Sequence, residues 1–434
     1  MDNLKLYFAT YNVGTSAPDQ DLHEFLSLNS NPKAEKALPD FFVVSLQEVK
    51  SKPTNLLMDA LFDDPWTNAV RSILGCRDYV KMKSVRLQGL VLSVYALRKH
   101  LFNVRDIESD YTRTGLSGMW GNKGAVSVRM SVYGCSVCFV NSHLTAHDEG
   151  LSDRIEDYNA IIKDQEFHVA EHTQIFFHDY VFWMGDLNFR LLEEYEKSAE
   201  EIERCIKKGE WKELLKHDQL RYVMQRGKAF SELHECQPEF PPTFKYEVGA
   251  AEYDHKRRPA WTDRILYKVN SNNYENVTLK IEPKSYRSHN FYTISDHKPV
   301  TAEFVIKVFA DNAEQTVQFE KAAFWYLEEE NAAVYKVTRD IPKNKDDWIG
   351  VFKENFTSLD DYIIYEYVNK SSSPVPINRS PHHNTQKFTL TFPELPFGRT
   401  TPSVVQLVYF SLSEDNVQTV LGVSDPISLR KKEN

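Results

Sequence analysis

Residues 180–190 have the sequence YVFWMGDLNFR, a short apolar run that ends abruptly in polar side chains. A run that is apolar at successive positions predicts a strand buried on both faces, as in the centre of a sheet that other layers cover. Gly185 permits a sharp turn where the strand ends, and Asp186 and Asn188 then present a carboxylate and an amide at one edge. Without further context, Gly-Asp-x-Asn is also a common turn.

Three earlier runs share this pattern of an apolar strand followed by polar residues. They are Leu4–Tyr11 before Asn12, Phe41–Leu46 before Glu48, and Ser136–Val140 before His143. Helical spacing of apolar residues predicts helices over Asp153–Phe167 and Leu191–Leu215. Strands alternating with helices predict an α/β layered domain, in which the polar strand ends meet along one edge. We expect the functional site at that edge.

The pattern changes near residues 307–318, where we predict a junction between a first domain, 1–308, and a second, 315–434. Beyond the junction helical periodicity is weak, and turn signals recur at short intervals. Strands are predicted at Tyr362–Tyr365, Lys387–Phe392 and Val404–Phe410, with loops at 371–374 and 379–384. These features favour a small all-β, immunoglobulin-like sandwich.

The composition limits the classes of partner. Acidic residues outnumber basic ones, 62 to 52, which gives a formal charge of −10 and argues against nucleic acid as a partner. Cys135 and Cys138 lie in an apolar run, so buried strand cysteines are expected rather than a redox pair or half of a metal site. The odd cysteine number, 5, suits a reducing compartment. Transmembrane, signal and lipidation motifs are not found, so we expect a cytoplasmic monomer whose membrane contacts are peripheral.

Two further clusters carry groups suited to phosphate chemistry. Pro259–Leu266, with the sequence PAWTDRIL, follows the basic stretch His255-Lys256-Arg257-Arg258, and Ser295-Asp296-His297 forms the second. An Asp–His pair is usually a solvated turn, but it also orients an imidazole and keeps it charged near phosphate. Both Asp263 and Asp296 are candidates for the carboxylate that partners His297.

Two segments between these clusters also offer candidate ligands. The glycines around Asn122 and Lys123 would let the backbone approach a phosphate, although a glycine-rich hairpin explains them equally well. His143 and His147 are four residues apart, but zinc is not expected because no third soft ligand is near in the sequence. Apolar Leu116, Met119 and Trp120 would contact either a membrane or the core.

Together these segments resemble the inositol polyphosphate 5-phosphatases, a branch of the exonuclease–endonuclease–phosphatase superfamily. FWMGDLNFR and PAWTDRIL are the hallmark motifs, and TYNVG, LQEV, WGNKGAV, NSHLTAH, PPTFKY and SDHKPV accompany them in the family's order over about residues 4–306. The C-terminal region resembles the SKICH domain that follows the catalytic domain in a few members.

The resemblance implies a four-layered α/β/β/α sandwich and one essential Mg²⁺. By motif position, Glu48 would be the main metal ligand with Asn12 beside it. Asp186 would orient and deprotonate the attacking water, while Asn188 and His143 would hold the phosphate. His297, braced by Asp263 and with Asp296 nearby, would contact the phosphoryl oxygens. The other ring phosphates would be bound by these residues: Asn122, Lys123, Lys245, Lys256 and Arg257.

The chain departs from the family's usual sequence at two places. It has Phe244-Lys245 where Tyr-Lys is usual, and the stretch from Tyr253 to Pro259 is short. We expect a lipid 5-phosphatase acting on PI(4,5)P2 or PI(3,4,5)P3, with soluble inositol phosphates as further substrates. The C-terminal domain would recruit it to the endoplasmic reticulum or plasma membrane through a protein partner. The alternatives are an endonuclease of the same superfamily and a non-catalytic scaffold.

Overall fold

The computed structural model describes residues 1–34, 37–50, 64–115, 120–310, 315–338, 344–372, 375–380, 383–395 and 401–432. It divides the chain into two compact units. The first comprises residues 1–96, 109–129 and 134–309, and the second comprises 97–108, 130–133 and 310–434. Leu116 and Met119 lie outside the described residues, as do the side chains of Trp120 and Asn122. No described helix is long and apolar enough to cross a membrane.

Two β-sheets form the centre of the first unit. Its strands are β1 (Asp2–Asn12), β2 (Phe41–Gln47), β3 (Tyr79–Leu87), β4 (Leu90–Leu97), β5 (Val104–Gly115), β6 (Trp120–Val132), β7 (Cys135–His143), β8 (Tyr180–Asp186), β9 (His234–Glu235), β10 (Asp263–Val269), β11 (Ile281–Ser288) and β12 (Val300–Val308). One sheet has the order β11-β12-β1-β2-β4-β3, and the other has β5-β6-β7-β8-β10-β9. All four strands predicted for this region are confirmed.

The described helices of this unit are α1 (Pro65–Gly75), α2 (Leu151–Asp164), α3 (Ala199–Lys207), α4 (Trp211–Leu214) and α5 (Gln219–Gln225). The helix predicted over 153–167 is confirmed as α2. The continuous helix predicted over 191–215 is wrong. Ser198 and Glu201 form a capping box that starts α3 only at Ala199, and Gly209, with φ of 74°, interrupts the segment before α4.

Aromatic side chains fill the space between the two sheets. Phe8 of β1 packs on Phe139 of β7 and Phe182 of β8, with ring centroids 5.9 and 4.4 Å apart. On the outer face of the second sheet, Tyr158 of α2 packs against Trp183, with centroids 5.5 Å apart. Strands such as β7 and β8 are therefore buried on both faces, which is why their sequences are apolar throughout. The predicted layered α/β sandwich is confirmed.

The second unit is built from strands. They are β13 (Val317–Phe319), β14 (Phe324–Tyr326), β15 (Asn331–Val337), β16 (Trp348–Lys353), β17 (Tyr362–Tyr367), β18 (Val375–Ser380), β19 (His383–Phe392), β20 (Val404–Leu412), β21 (Gln418–Val423) and β22 (Ile427–Arg430). One sheet has the order β13-β15-β19-β18. In the other, β16 lies between β17 and β20, and β21 and β22 pair with β20. Tyr335 and Tyr409 pack the sheets together.

The all-β prediction for this unit, with its three strands, is confirmed. The loop predicted at 379–384 is wrong at both ends, because β18 continues to Ser380 and β19 begins at His383. Polar residues in an edge hairpin kept the strand ends from being recognised in the sequence. In the first unit, Cys135 and Cys138 are buried free thiols, as expected for strand cysteines.

Candidate active site

Strand register brings the predicted site residues together. In the first sheet β1 and β2 are parallel with Asn12 opposite Gln47, so Asn12 lies beside the residue that precedes Glu48. In the second sheet β7 and β8 are parallel with His143 opposite Asp186. The antiparallel strand β10 begins with Asp263 opposite Asp186. Polar groups from five strands therefore meet at one edge of the sandwich.

Gly185 is needed for the close approach of β8 to β7. Its φ is 137°, and a Cβ at this position would overlap the carbonyl oxygen of Ser142. Residues other than glycine rarely adopt this backbone conformation. Gly185 thus permits the pairing that sets Asp186 beside His143.

Asp186 lies at the centre of the cluster and is almost fully buried. Its Oδ2 accepts a hydrogen bond of 2.9 Å from Asn12 Nδ2 and lies 3.2 Å from His143 Nε2 and 3.7 Å from His297 Nε2. Its Oδ1 accepts a hydrogen bond from the Asn188 amide. Burial alone would raise the pKa of Asp186, but the two imidazoles outweigh burial and hold this pKa below its usual range. Asp186 is therefore ionised at neutral pH.

His297 is paired with Asp263, the partner that the family resemblance implied and that the residue pattern by itself left open. Its Nδ1 lies 2.9 Å from Asp263 Oδ2, and the same oxygen accepts hydrogen bonds from the hydroxyls of Thr243 and Thr262. Burial by itself would lower the pKa of His297, whereas Asp263 and Asp186 raise it to about 9. The imidazole is therefore cationic at neutral pH.

Asp296 pairs with a cation instead. Its Oδ2 accepts a hydrogen bond of 2.7 Å from Lys245 Nζ. Burial opposes ionisation, but His297 and Lys245 keep the pKa of Asp296 below its usual range. Asp296 therefore anchors one of the predicted phosphate-binding lysines at the border of the cluster.

Glu48 fits a small hard cation, and Asn12 lies beside it. Glu48 Oε1 lies 3.1 Å from Asn12 Nδ2, and its side chain is 44% exposed. Mg²⁺ takes one or two carboxylates and keeps several waters, so an oxygen ligand with an open side suits it. Atoms of Asp186, Asp263 and His297 also lie within 4.8 Å of one another. However, Asp263 and His297 are buried and bonded to each other, which leaves Glu48 as the accessible carboxylate.

His143 and Lys123 form the opposite side of the cluster. The Lys123 ammonium contacts His143 Nε2. Burial and this ammonium lower the pKa of His143, although Asp186 opposes them. Burial also lowers the pKa of Lys123. Lys123 was expected to bind a ring phosphate, and His143 was expected to bind the reacting phosphate. In the structure these two side chains contact each other.

Asn188 is held from both sides. Its Nδ2 donates to the Leu144 carbonyl at 3.0 Å, and its Oδ1 accepts from Arg190 Nη2 at 2.6 Å. Arg190 in turn lies 4.4 Å above the Phe244 ring, which lies 4.6 Å from the His297 ring. Arg190 was not among the predicted site residues, although it ends the quoted motif. It orients Asn188.

Two of the remaining predicted cations lie outside the buried cluster. Arg257 is exposed, and its Nη2 is 3.4 Å from Nδ1 of His147, four residues after His143. The Lys256 side chain is 81% exposed and lies 3.8 Å from Asp254. The structure thus places Lys245 and Lys123 in contact with cluster residues, and it does not bring Lys256 into such a contact among the residues it describes.

Sequence reasoning missed the residues that support the cluster. Arg264, next to Asp263, is fully buried and bonds Asp218 at 2.9 Å and Glu235 at 2.6 Å. Thr243 and Thr262, which hold Asp263, both lie within motifs that the sequence displays. Their membership of these motifs could have identified both threonines, but the bond from Thr243 to Asp263 spans 20 residues and is not visible in the sequence.

Comparison with known proteins gives matches over nearly the whole chain. The model of endonuclease/exonuclease/phosphatase family 2 matches residues 9–303, and that of the SKICH domain matches 317–429. Human phosphatidylinositol 4,5-bisphosphate 5-phosphatase A is 34% identical over 98% of this chain and 41% of its own length. Mouse inositol polyphosphate 5-phosphatase K is 31% identical over 98% of this chain and 90% of its own. The chain thus spans about two fifths of the human relative's length.

Solved structures show the same fold. The inositol polyphosphate 5-phosphatase domain of SPsynaptojanin, in complex with inositol (1,4)-bisphosphate and calcium, is 31% identical. Its TM-score is 0.59 over 71% of this chain and 86% of that one. A Cimex nitrophorin, solved as a ferrous NO complex, is 25% identical with a TM-score of 0.56 over 70% and 99%. Because proteins of this fold have such different ligands, function has to be argued from the side chains of the site.

Proposed function

The chain belongs to endonuclease/exonuclease/phosphatase family 2, among the inositol polyphosphate 5-phosphatases that carry a SKICH domain, and we propose that it hydrolyses a phosphate monoester. The bond cleaved is that of the 5-phosphate of phosphoinositides, with soluble inositol phosphates as further substrates. The observation that carries this proposal is the convergence of Asp186 with Asn12, His143 and His297 at one buried edge. That edge combines an ionised carboxylate with groups that bind phosphoryl oxygens.

Asp186 orients the attacking water. Its carboxylate is ionised and fixed by Asn12 and the Asn188 amide, so it can accept a hydrogen bond from water without rearranging. Because the pKa of Asp186 is low, the water proton is transferred to it late, as the bond to phosphorus forms. This order suits phosphoryl transfer, where positioning and charge neutralisation contribute most of the rate enhancement.

The phosphoryl oxygens are bound by His297, His143 and Lys123. Cationic His297 donates from Nε2, since its Nδ1 is held by Asp263. The ammonium of Lys123 adds positive charge next to His143. Asn188 keeps one amide hydrogen beyond the one that Leu144 accepts. These donors are fixed before substrate binds, which is the arrangement that stabilises charge developing in the transition state.

Glu48 and Asn12 would hold Mg²⁺, which supplies Lewis-acid stabilisation of the phosphoryl oxygens when bound. Chelation should abolish phosphate release, and added Mg²⁺ should restore it. Glu48→Gln should raise the Mg²⁺ concentration at half-maximal rate by about tenfold or more, because it removes the charged ligand. Mg²⁺ titration of the rate, with calorimetric Mg²⁺ binding, measures both effects. The control is Glu156→Gln, at an exposed position of α2. Equal Mg²⁺ dependence of the two variants would contradict the role of Glu48 as a metal ligand.

The rate should fall as pH rises through about 9. The pKa of His297 is raised to about 9, so the imidazolium that binds phosphate is present below this pH and is lost above it. Asp263→Asn removes the carboxylate that raises this pKa, so the alkaline limb should move down by about one to three pH units. Profiles of kcat against pH for both proteins measure the shift. An alkaline limb that stays in place would exclude His297 as the titrating group.

The remaining ring phosphates meet the cations at the border of the site. Lys245, which is bonded to Asp296, lies nearest to the cluster. We propose Arg257, Lys256 and Asn122 as further phosphate ligands because of their positions in the family motifs. Phe244 lacks the hydroxyl usual in the family, and its ring lies between Arg190 and His297. One contact to a ring phosphate is therefore absent. PI(4,5)P2 and PI(3,4,5)P3 are the proposed lipid substrates.

The test is phosphate release from each phosphoinositide and soluble inositol phosphate by the full chain, with and without Mg²⁺. Release of the 5-phosphate by wild type, and its loss in Asp186→Asn, is the expected result. Cleavage of DNA without phosphate release would instead indicate the endonuclease. Absence of both activities would indicate a scaffold.

The two domains have separate proposed roles, catalysis and recruitment to a membrane. We retain a catalytic domain at 1–308 and a second domain at 315–434 that brings it to the endoplasmic reticulum or plasma membrane through a protein partner. The chain would act as a cytoplasmic monomer at a lipid surface. Imaging residues 1–308 beside the full chain tests recruitment by the second domain.

A further inference from the structure

Strand β17 (Tyr362–Tyr367) forms an edge of its sheet. Among the residues that the structure describes, it pairs with β16 alone. Edge strands present unpaired backbone N–H and C=O groups, and proteins protect them with charged side chains, proline, bulges or short length. β17 has six residues without lysine or proline, and its one bulge lies at Ile363, so the stretch from Ile364 to Tyr367 pairs regularly. Its edge is therefore able to accept another strand.

Strand register places three tyrosines on one face of β17. Tyr367, Tyr365 and Tyr362 lie opposite Trp348, Gly350 and Phe352 of β16. The pairing shifts by one residue near Ile363, and this shift keeps Tyr362 on the same face as the other two. The tyrosines are 44%, 42% and 37% exposed in chain order. We call Tyr362, Tyr365 and Tyr367 the tyrosine face.

The tyrosine face rests on a packed aromatic layer. The Trp348 ring stacks on Phe410 with centroids 4.1 Å apart and an interplanar angle of 10°. Trp348 also contacts Tyr362 and Tyr365 edge to face, at 5.4 and 5.6 Å. A Cβ on Gly350 would meet the Trp348 and Phe352 rings at 2.7 and 2.6 Å, so glycine lets these rings close over it. The exposed rings are thus held in place and lose little freedom on binding.

The charge of this region favours a cationic partner. Residues 344–372 contain three lysines and five carboxylates that are not buried. These carboxylates are Asp346, Glu354, Asp360, Asp361 and Glu366, whereas Asp347 is buried. Tyrosine faces attract arginine and lysine through the quadrupole of the ring, by about 0.5–1 kcal/mol at exposed sites. Aromatic and acidic groups therefore select the same sign of ligand charge.

We propose that β17 binds an extended segment of a partner protein by strand addition, with arginine or lysine on alternate residues of that segment. Backbone hydrogen bonds to the edge provide affinity. The alternate cationic side chains, which point to one face of a strand, lie across the tyrosine face and provide specificity. An anionic lipid surface is disfavoured because the region carries excess negative charge.

The binding should be weak and sensitive to salt. One added strand buries less surface than a stable interface requires, so a micromolar dissociation constant is expected. Charge attraction at an exposed site is screened by salt, so affinity should fall as ionic strength rises. These properties suit a reversible contact.

The test uses the full chain and a labelled peptide in which arginine alternates with threonine, with anisotropy and hydrogen exchange as readouts. The peptide should bind and protect the amides of residues 362–367. Two matched peptides should fail to bind: one with glutamate in place of arginine, and one whose backbone is N-methylated. No binding by wild type, or equal binding of either matched peptide, would overturn the proposal.

Two variants locate the binding. Tyr365→Ser combined with Tyr367→Ser should weaken peptide binding by about tenfold or more, while Tyr111→Ser, at a tyrosine that is 51% exposed in the other unit, should not. Thermal melting of each variant verifies folding. Equal affinity of the double variant would overturn the proposal. Binding of wild type to phosphatidylserine vesicles that the double variant loses would overturn it in favour of a lipid surface.

Discussion

Asp186→Asn should lower kcat for phosphate release by about a thousandfold, which is within the range for removing a general base. Asparagine keeps the size of the side chain but has no negative charge. It cannot accept the proton of the attacking water, and it cannot balance the positive charge of His297, whose Nε2 lies 3.7 Å from Asp186 Oδ2. The measurement is kcat and KM at saturating Mg²⁺, with KM expected to change much less.

The control is Asp164→Asn, which removes an exposed carboxylate at the end of α2. It should leave both kinetic constants close to wild type. Melting curves are needed for both variants, since Asp186 is buried. If a folded Asp186→Asn protein released phosphate at the wild-type rate, Asp186 could not be the group that orients the water.

Arg264→Met should reduce the free energy of unfolding by about 3–5 kcal/mol, because removing one partner of a buried ion pair leaves an uncompensated charge. The guanidinium is fully buried and bonds Asp218 at 2.9 Å and Glu235 at 2.6 Å. Methionine fills a similar volume but leaves the carboxylates of Asp218 and Glu235 without this cation. Urea unfolding of both proteins measures this loss of stability.

The control is Arg204→Met, at an exposed position of α3. It should change the free energy of unfolding by less than about 0.5 kcal/mol. Arg264 follows Asp263 at the start of β10, so a destabilised variant should also lose activity at the temperature where it unfolds. If Arg264→Met lowered the free energy of unfolding only as much as Arg204→Met does, the Arg264 ion pairs would contribute nothing to stability.

The sequence predicted much of the fold because hydrophobic period and strand length are local properties. The runs ending at Asn12, Glu48, His143 and Asp186 are strands, and α2 follows its helical spacing. The segment 191–215 was misjudged because its composition favours helix throughout, while a capping box and Gly209 limit α3. Composition does not show where a helix begins or ends.

Local patterns could not assign partners across the chain. The residue pattern left Asp263 and Asp296 as equal candidates to pair with His297. The family resemblance implied Asp263, and the register of β10 against β8 places that carboxylate beside the imidazole. Lys123 was expected at a ring phosphate, but packing places its ammonium against His143. The partners of Arg190 and Arg264 could not be identified from the sequence, because the residues that they bond became apparent only in the folded chain.

By itself, the sequence determined which residues form strands, which polar side chains end them and which family motifs they compose. Those properties depend on residues that are close together in the chain, because the spacing of apolar residues and the positions of glycines favour a strand or a helix locally. The tertiary structure alone decided which cation balances Asp296 and how the tyrosine face is exposed. Those properties depend on strand register and burial, which arise only when segments distant in the chain pack together.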